Sequence, residues 1–292
     1  MIFKALDGQT GQAVVVKLPH AEFEGTANSS RFAREAAILE KLNHPGIPRV
    51  IRVPEKSRPY VVMEYVEGQT LYDILQRTRS LATCEALLLA SRLCGILEYI
   101  HRQGVIHGDL KPGNIMISDD GSPRIIDFGI AQRPAMFSPK LGTPEYMSPE
   151  QIQGDRVDAR TDVYTLGVVL YEMVTGVRPF QGNTSDEIFD ARLTSAPRPP
   201  CELDSNLSEQ VEEIILHAMA PRPHDRYASA AAMKAELDSP RTVQVTGMYR
   251  NPCNASSWPK RLRLTAFVLS AAVAPIILFF LFLLMFQRQL GR

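Results

Sequence analysis

VIHGDLKPGNIMI, residues 105–117, places an acid, a base and an amide within six positions. Asp109, Lys111 and Asn114 have apolar residues on both sides, so the pattern predicts a polar loop between two short buried strands. Charged side chains at the edge of a core are costly to desolvate unless they are paired or hydrogen-bonded. The stretch therefore indicates a loop whose polar groups bind a ligand or act on one.

The composition limits the class of protein. The chain has 292 residues, of which 45% are hydrophobic and 22% charged, which allows a large core or two unequal lobes. Lys plus Arg and Asp plus Glu both number 32, and this balance gives no electrostatic indication of nucleic-acid binding. The four cysteines form no CxxC pair, which favours reduced thiols in a cytosolic domain over a zinc site.

Periodicity around the quoted stretch predicts an α+β body of two lobes. Residues 2–18 combine a turn with a β-branched run and predict a hairpin. An amphipathic helix is predicted over 29–42 and a buried strand over 60–66. Long apolar helices are predicted over 83–101 and 162–175. Strands with one helix come first and helices follow, an order typical of an α+β fold.

Several motifs, in this order, resemble those of the eukaryotic-like serine/threonine protein kinases found in bacteria. They are AVVVK (13–17), RFAREAAIL (31–39), HGDLKPGN (107–114), DFG (127–129), GTPEYMSPE (142–150), DVYTLGVVLYEMVTG (162–176) and RPHDRY (222–227). The resemblance implies a protein kinase domain over 1–237, with an N-lobe over 1–66 and a C-lobe over 67–237.

The resemblance implies roles for the residues of the quoted loop. Phosphoryl transfer needs charge neutralisation and alignment more than covalent help. Asp109 would accept the proton of the substrate hydroxyl, and Lys111 would place a positive charge on the transferred group. Asn114 and Asp127 are hard oxygen donors suited to Mg²⁺ or Mn²⁺. Lys111 at this spacing marks the serine/threonine branch, and Thr143 would shape the substrate site.

The resemblance also implies an ATP site. Lys17 would hold the α- and β-phosphates, and Glu35 would hold Lys17. The residues expected around the adenine are Val15, Met63, Glu64, Val66 and Met116. Val15 stands where an alanine is usual, and its two extra methyl groups are expected to narrow the pocket.

Other matched positions are expected to be architectural. Glu150 and Arg226 would form a buried ion pair, and Asp162 would hold the backbone of the catalytic loop. Three residues are expected to stack as an internal spine: Leu39, His107 and Phe128.

Each residue taken alone has an ordinary structural explanation. An Asp before a strand, as at 109 or 127, is commonly a solvated cap or turn residue. A lone Lys17 fits a surface lysine, and a lone His107 fits a core histidine. Met63 and Met116 fit the core as well as a nucleotide pocket. Only their joint order and spacing favour a catalytic site.

Besides Val15, the sequence departs from the family at two further places. The glycine-rich phosphate-binding loop is expected just before Ile2, and it is absent from the sequence. Either Met1 is an internal methionine of a longer protein, or the protein lacks the loop and binds nucleotide weakly. Gly108 stands where members regulated by a phosphorylated activation segment carry an arginine, so activity is predicted not to depend on phosphorylation of Ser138.

The C-terminal part has the composition of a membrane anchor. Residues 264–286 form an uncharged run of 23, enough for a helix to cross a bilayer, with a buried core helix as the alternative. Residues 238–263 are predicted to be a juxtamembrane linker and 287–292 a short tail. Flanking positive charges weakly favour a cytoplasmic body on a single-pass plasma-membrane protein.

The sequence thus predicts a membrane-anchored serine/threonine protein kinase that uses ATP and Mg²⁺ and acts on protein substrates, without nucleic acid. The alternative is a pseudokinase that serves as a membrane-tethered interaction module, for which the missing glycine-rich loop is the main support. A small-molecule kinase of the same fold is disfavoured, because GTPEYMSPE resembles a segment that positions peptides. The sequence does not predict the substrate, the stimulus or the oligomeric state.

Overall fold

A computed structural model of the chain describes residues 1–18, 36–53, 60–127 and 143–249. Within these ranges, no helix combines the length and the apolar character needed to cross a bilayer. Several sequence-based expectations concern residues outside the described ranges, namely Glu35 and the start of the predicted helix 29–42, Phe128, Ser138, most of the linker 238–263, the segment 264–286 and the tail 287–292.

The first lobe is built on an antiparallel sheet of four strands in the order β1-β2-β4-β3. The strands are β1 (Ile2–Leu6), β2 (Ala13–Lys17), β3 (Val50–Arg52) and β4 (Val61–Glu64). The turn between β1 and β2 is closed by Asp7, whose carboxylate accepts hydrogen bonds from the backbone N–H groups of Gln9 and Thr10. The predicted hairpin is therefore present, and β2 is its inner strand.

The centre of this sheet places Lys17 on the side of the second lobe. In the pairing of β2 with β4, Val15 lies opposite Met63 and Lys17 lies opposite Val61. Residues 36–39 are helical, and Ala36 packs against Val61 in a small apolar cluster. This cluster anchors the described part of the predicted helix to the sheet.

The second lobe is helical. Its helices are α1 (Leu71–Thr78), α2 (Thr83–Arg102), α3 (Pro149–Gln153), α4 (Ala159–Thr175), α5 (Ser185–Thr194), α6 (Glu209–Ala218) and α7 (Ala230–Asp238). A small antiparallel sheet lies beside them, with strands β5 (Gln69–Thr70), β6 (Ile115–Ile117) and β7 (Pro123–Ile125). The two-lobed α+β architecture predicted from the sequence is confirmed.

The quoted stretch differs in one respect from its prediction. Ile115–Ile117 forms a strand as expected, but Val105 and Ile106 are buried with only a single bridge at Ile106. The backbone N–H groups of His107 and Gly108, directly after Ile106, donate to the side chain of Asp162 and not to a neighbouring strand. An apolar pair is too short to reveal this difference, because burial alone gives the same pattern.

Helix α4 runs through the centre of the helical lobe, as its nearly unbroken apolar sequence predicts. A Cβ atom on Gly167 would lie 2.9 Å from the side chains of Ala218 and Met219. The glycine therefore allows close packing of α4 against the end of α6. This central helix also carries Asp162, which links the lobe's core to the functional loop.

The chain after α7 stays in contact with the domain as far as Tyr249. The carboxylate of Glu213 on α6 accepts hydrogen bonds from the backbone N–H groups of Thr246 at 3.1 Å and Gly247 at 3.3 Å. The ring of Tyr249 stacks on His217 with centroids 4.6 Å apart. The described beginning of the predicted linker therefore lies on α6.

Candidate active site

The loop of residues 107–114 brings together an acid, a base and a hydroxyl from a distant segment. The Lys111 Nζ atom lies 3.2 Å from Asp109 Oδ2 and donates a 2.6 Å hydrogen bond to Thr143 Oγ1. The backbone N–H of Thr143 donates to Asp109 Oδ1 at 3.1 Å. The three side chains that the sequence assigns to catalysis and substrate positioning thus form one hydrogen-bonded group.

Asn114 connects this group to Asp127. Its amide nitrogen donates to the carbonyl oxygen of Asp109 at 2.9 Å and lies 3.3 Å from Asp109 Oδ2. The backbone carbonyl oxygen of Asn114 accepts a hydrogen bond from the backbone N–H of Ile126 at 2.8 Å. Asp127 follows with φ of 62°, a left-handed conformation that Asp tolerates better than most residues. The two candidate metal ligands are therefore tied together through the backbone.

Lys17 reaches this region from the first lobe. Its ammonium group donates to Asp127 Oδ1 at 2.6 Å, and only 13% of its side chain is exposed. Asp127 therefore already accepts a cation at the position assigned to metal binding. The predicted contact of Lys17 with Glu35 lies outside the described residues.

The donor set fits a hard divalent cation. The amide nitrogen of Asn114 is used by Asp109, so its amide oxygen is the atom available to a metal, beside a carboxylate oxygen of Asp127. Mg²⁺ is commonly held by one or two protein ligands together with phosphate oxygens and water. Within the described ranges, no group of three His, Cys, Asp or Glu residues is arranged to hold a metal ion.

Asp162 fixes the backbone at the start of the loop. One of its oxygens, Oδ2, accepts from His107 N and from His101 Nε2 at 2.8 and 2.7 Å, and the other accepts from Gly108 N at 2.8 Å. Burial acts to raise the pKa of Asp162, but the hydrogen bond from His101 and the other favourable interactions hold it below its ordinary value. A fully buried carboxylate thus keeps its charge and positions two successive N–H groups.

The geometry explains why a glycine precedes Asp109. Gly108 has φ of 76°, a left-handed conformation that is unfavourable for residues with a Cβ. Its N–H donates to Asp162, and its carbonyl oxygen accepts from Gln151 Nε2 at 2.7 Å. A glycine therefore suits this backbone turn, which is held from both sides.

Glu150 and Arg226 form the ion pair expected from the sequence. Two parallel hydrogen bonds of 2.8 Å join the carboxylate to the guanidinium, and both side chains are buried. Thr161 Oγ1 donates to the same carboxylate, and the guanidinium lies 4.6 Å from the ring of Tyr164. This network connects α3, which follows Thr143, to α4 and to the chain after α6.

The residues assigned to the adenine lie on β2, on β4, in the chain directly after β4 and on β6. Val15 and Met63 are paired across β2 and β4, and Met116 lies on β6. Glu64 and Val66 line a cavity of about 590 Å³ whose other walls are mostly polar, and Val15, Met63 and Met116 are not among the residues that line it. The side chain of Glu64 is engaged by Arg124 at 2.5 Å and by the backbone N–H of Arg49 at 3.3 Å.

Sequence reasoning missed three residues that hold the site in place. His101 binds Asp162, and Gln151 binds the carbonyl of Gly108. Arg192 of α5 is 2% exposed and donates to backbone carbonyls in residues 144–147. Gln151 directly follows the motif GTPEYMSPE, and this position is a sequence signal for its role. The sequence around Arg192 resembles an ordinary solvated helix face and carries no such signal.

Comparison with known proteins identifies the family. The protein kinase domain model matches residues 1–237. Serine/threonine-protein kinase PknB of Mycobacterium leprae is 40% identical over 218 residues, covering 71% of this chain and 35% of PknB. Probable serine/threonine-protein kinase CE0033 of Corynebacterium efficiens is 38% identical over 254 residues, covering 81% of this chain and 38% of that protein.

Probable serine/threonine-protein kinase SCO3848 of Streptomyces coelicolor is 34% identical over 251 residues, covering 82% of this chain and 37% of that protein. The chain therefore spans little more than a third of the length of these relatives. The family match covers most of the chain, and both lobes of the fold are present. The chain belongs to the protein kinase family, in its bacterial serine/threonine branch.

Proposed function

We propose that this chain transfers the γ-phosphoryl group of ATP to Ser and Thr hydroxyls of protein substrates. The observation that carries this proposal is the hydrogen-bonded group of Asp109, Lys111 and Thr143, next to the candidate metal ligand Asn114. It combines a proton acceptor, a positive charge and an ordered backbone segment within a few ångströms. These are the parts that in-line transfer to an alcohol needs.

At the acceptor end, a carboxylate oxygen of Asp109 accepts the proton of the substrate hydroxyl as the oxygen attacks phosphorus. The bond that breaks joins the γ-phosphorus to the oxygen bridging it to the β-phosphate, and ADP leaves. Lys111, whose ammonium lies 3.2 Å from Asp109, balances negative charge on the transferred group. Thr143 holds both side chains in place through its hydroxyl and N–H.

At the nucleotide end, Lys17 supplies a positive charge from the first lobe for the α- and β-phosphates. Asn114 and Asp127 would hold Mg²⁺ through their oxygen atoms. When bound, the metal supplies charge neutralisation at the phosphate oxygens. The Lys17 ammonium group donates to Asp127 at 2.6 Å, so a positive charge from the first lobe lies beside this carboxylate.

The direct test is a transfer assay with the full chain, γ-labelled ATP, Mg²⁺ and a mixture of unrelated proteins. We expect label on protein Ser and Thr and not on Tyr, as measured by phosphoamino-acid analysis. Chelation of the metal with EDTA is expected to stop the transfer. Asn114 is neutral and Asp127 is negatively charged, so neither residue neutralises the phosphate charge without the metal. Label confined to Tyr would contradict the proposed acceptor class.

The pseudokinase alternative makes a different prediction in the same experiment. A pseudokinase would leave the proteins unlabelled at every ATP concentration, whether or not it binds nucleotide. A kinase that binds ATP weakly would show transfer that rises with ATP up to the millimolar range. The concentration dependence therefore separates the two functions.

We also propose that residues 264–286 anchor the protein in the plasma membrane as a single span, with the kinase domain in the cytoplasm. The support is the uncharged run of 23 residues, long enough for a helix across the hydrocarbon layer. Basic residues precede and follow the run, as is common at the ends of membrane helices.

Two arginines placed in this run should release the protein from membranes. Each arginine near the centre of a span costs about 2.5–3.5 kcal/mol on insertion scales. We expect Val273→Arg combined with Ile277→Arg to move the full chain from the carbonate-washed membrane fraction to the soluble fraction. The double change Val273→Leu and Ile277→Leu is the matched control and should stay with the membrane. A wild-type chain found in the soluble fraction would refute the anchor.

A further inference from the structure

Arg192 is a buried arginine to which the sequence assigns no role. Arg192 lies near the end of α5, and only 2% of it is exposed. An arginine guanidinium carries five N–H donors and stays charged, so its burial is costly unless these donors are satisfied. Its side chain packs beside Phe180, with the guanidinium carbon 5.1 Å from the ring centroid.

The two terminal nitrogens of Arg192 donate to one short backbone segment, whereas its Nε atom has no hydrogen-bond partner among the described residues. One terminal nitrogen donates to the carbonyl of Pro144 at 3.0 Å and also to the carbonyl of Met147. The other terminal nitrogen donates to the carbonyl of Glu145. A single planar group therefore binds three carbonyls within four successive residues, which a flexible lysine ammonium does less well.

This segment directly follows Thr143, the residue that touches the catalytic group. Thr143 gives its N–H to Asp109 and accepts a hydrogen bond from Lys111. The carbonyl of Thr143 in turn accepts from the N–H of Tyr146 at 2.9 Å. The carbonyls that follow point to Arg192, so the path of the backbone is fixed on one side by the catalytic loop and on the other by α5.

The same segment borders an open cavity. Glu145 is one wall of a cavity of about 360 Å³, whose other walls include Glu172, Arg178 and Phe180. Glu145 pairs with Arg178 at 2.9 Å. The Phe180 ring that packs beside Arg192 also lines this cavity. Glu145, which lines it too, lies two residues after Thr143 in the sequence.

We propose that Arg192 is a positioning residue for the protein substrate: by holding the carbonyls of residues 144–147, it fixes Thr143 against Asp109 and Lys111. This inference rests on the proposed kinase function. It assigns no chemistry to Arg192 itself, which does not touch the reacting atoms. Displacing aligned groups by about 1 Å can cost 10²-fold in rate, so losing this support should be visible in catalysis.

The experiment uses the full chain with Arg192→Met, which keeps an apolar stem and removes every donor. We expect kcat/KM for a protein substrate to fall about 10- to 100-fold. The KM for ATP should stay within about twofold, since Lys17, Asn114 and Asp127 are not held by this segment. Arg192→Lys should recover part of the loss, because an ammonium supplies fewer donors in the required directions.

The matched control is Met233→Ala, which removes a fully buried side chain from α7. It should lower stability while leaving both KM values near those of the wild type, when rates are expressed per folded enzyme. Parallel changes in the KM for ATP and for the protein in Arg192→Met would show a purely structural role and overturn the proposal. Unchanged kinetics would overturn it as well.

Amide hydrogen exchange separates this inference from the kinase function. We expect exchange in residues 143–148 to become faster in Arg192→Met, with no comparable change around Glu213. If the wild type transfers no phosphate but this exchange change appears, the kinase proposal fails while the anchoring of the segment stands. If transfer occurs and the exchange is unchanged, the positioning role of Arg192 is wrong.

Discussion

Asp109→Asn is expected to lower kcat for protein phosphorylation by about 10²- to 10⁴-fold, the range attributed to a general base. Asn keeps an oxygen that accepts the 3.1 Å hydrogen bond from the N–H of Thr143. It cannot accept the proton of the substrate hydroxyl. Its amide NH₂ would also face Lys111 and Asn114, which are both donors, so the group of side chains loses an acceptor. Initial rates at saturating ATP measure the effect.

The control for this variant is Asp155→Asn, which makes the same chemical change at an exposed position shortly after α3. It should transfer phosphate at the wild-type rate. Because Asp109→Asn leaves donors facing each other, its thermal unfolding and its affinity for nucleotide should be measured too. A variant that is folded, binds ATP and keeps wild-type kcat would show that Asp109 is not the proton acceptor.

Glu150→Gln is expected to destabilise the helical lobe by about 3–5 kcal/mol, the usual cost of removing one partner from a buried ion pair. Gln cannot balance the charge of Arg226, whose side chain has no exposed surface. The guanidinium would still bind the carbonyls of Ala220 and Pro221, but it would remain an unpaired buried charge. Urea unfolding of both proteins at pH 7 measures the difference.

The effect should depend on pH in a defined direction. Burial acts to raise the pKa of Glu150, but the hydrogen bonds and charge of Arg226 outweigh it and hold the pKa below its ordinary value. A carboxyl with a depressed pKa contributes stability above its unfolded pKa, near 4.3, and loses it as the pH falls through the folded value. The gap between wild type and Glu150→Gln should therefore be largest at neutral pH and shrink below about pH 4.

Glu202→Gln is the matched control, because Glu202 pairs with Arg198 at 3.2 Å on the exposed surface. Such pairs contribute about 0–1 kcal/mol, so this change should be nearly silent. The double variant Glu150→Gln with Arg226→Met should be less destabilised than the sum of its single variants, since no charge is left unpaired. Equal losses at positions 150 and 202 would contradict the importance assigned to the buried pair.

Much of the fold could be predicted from local patterns. The β-branched run that ends at Lys17 forms β2, and the apolar stretch after Asp162 forms the buried helix α4. These elements are long enough for periodicity to separate strand from helix. The sequence predicts a strand for the short pair Val105 and Ile106, and the structure contains only a single bridge there. Two apolar residues carry too little periodicity to decide between a strand and a buried loop.

For the candidate site, the order of the motifs indicated which residues belong to it, and the structure gave the distances between their side chains. Lys111 and Thr143, 32 positions apart in the chain, meet at 2.6 Å. The 2.6 Å contact of Lys17 with Asp127 was not foreseen, because the sequence assigned Lys17 to a glutamate and Asp127 to a metal. Which of several opposite charges a lysine contacts depends on the arrangement of the lobes, and local sequence does not specify it.

The sequence by itself predicted the two-lobed α+β fold, because side-chain period is a local property of the chain, and the resemblance of its motifs to those of protein kinases indicated the candidate catalytic residues. Only the tertiary structure revealed what holds those residues in place. Arg192 looks like a solvated helix residue until α5 packs against residues 144–147, and His101 looks like the end of an exposed helix until it meets Asp162. A hydrogen bond between distant segments depends on where the completed fold brings their atoms, and no local pattern encodes that position.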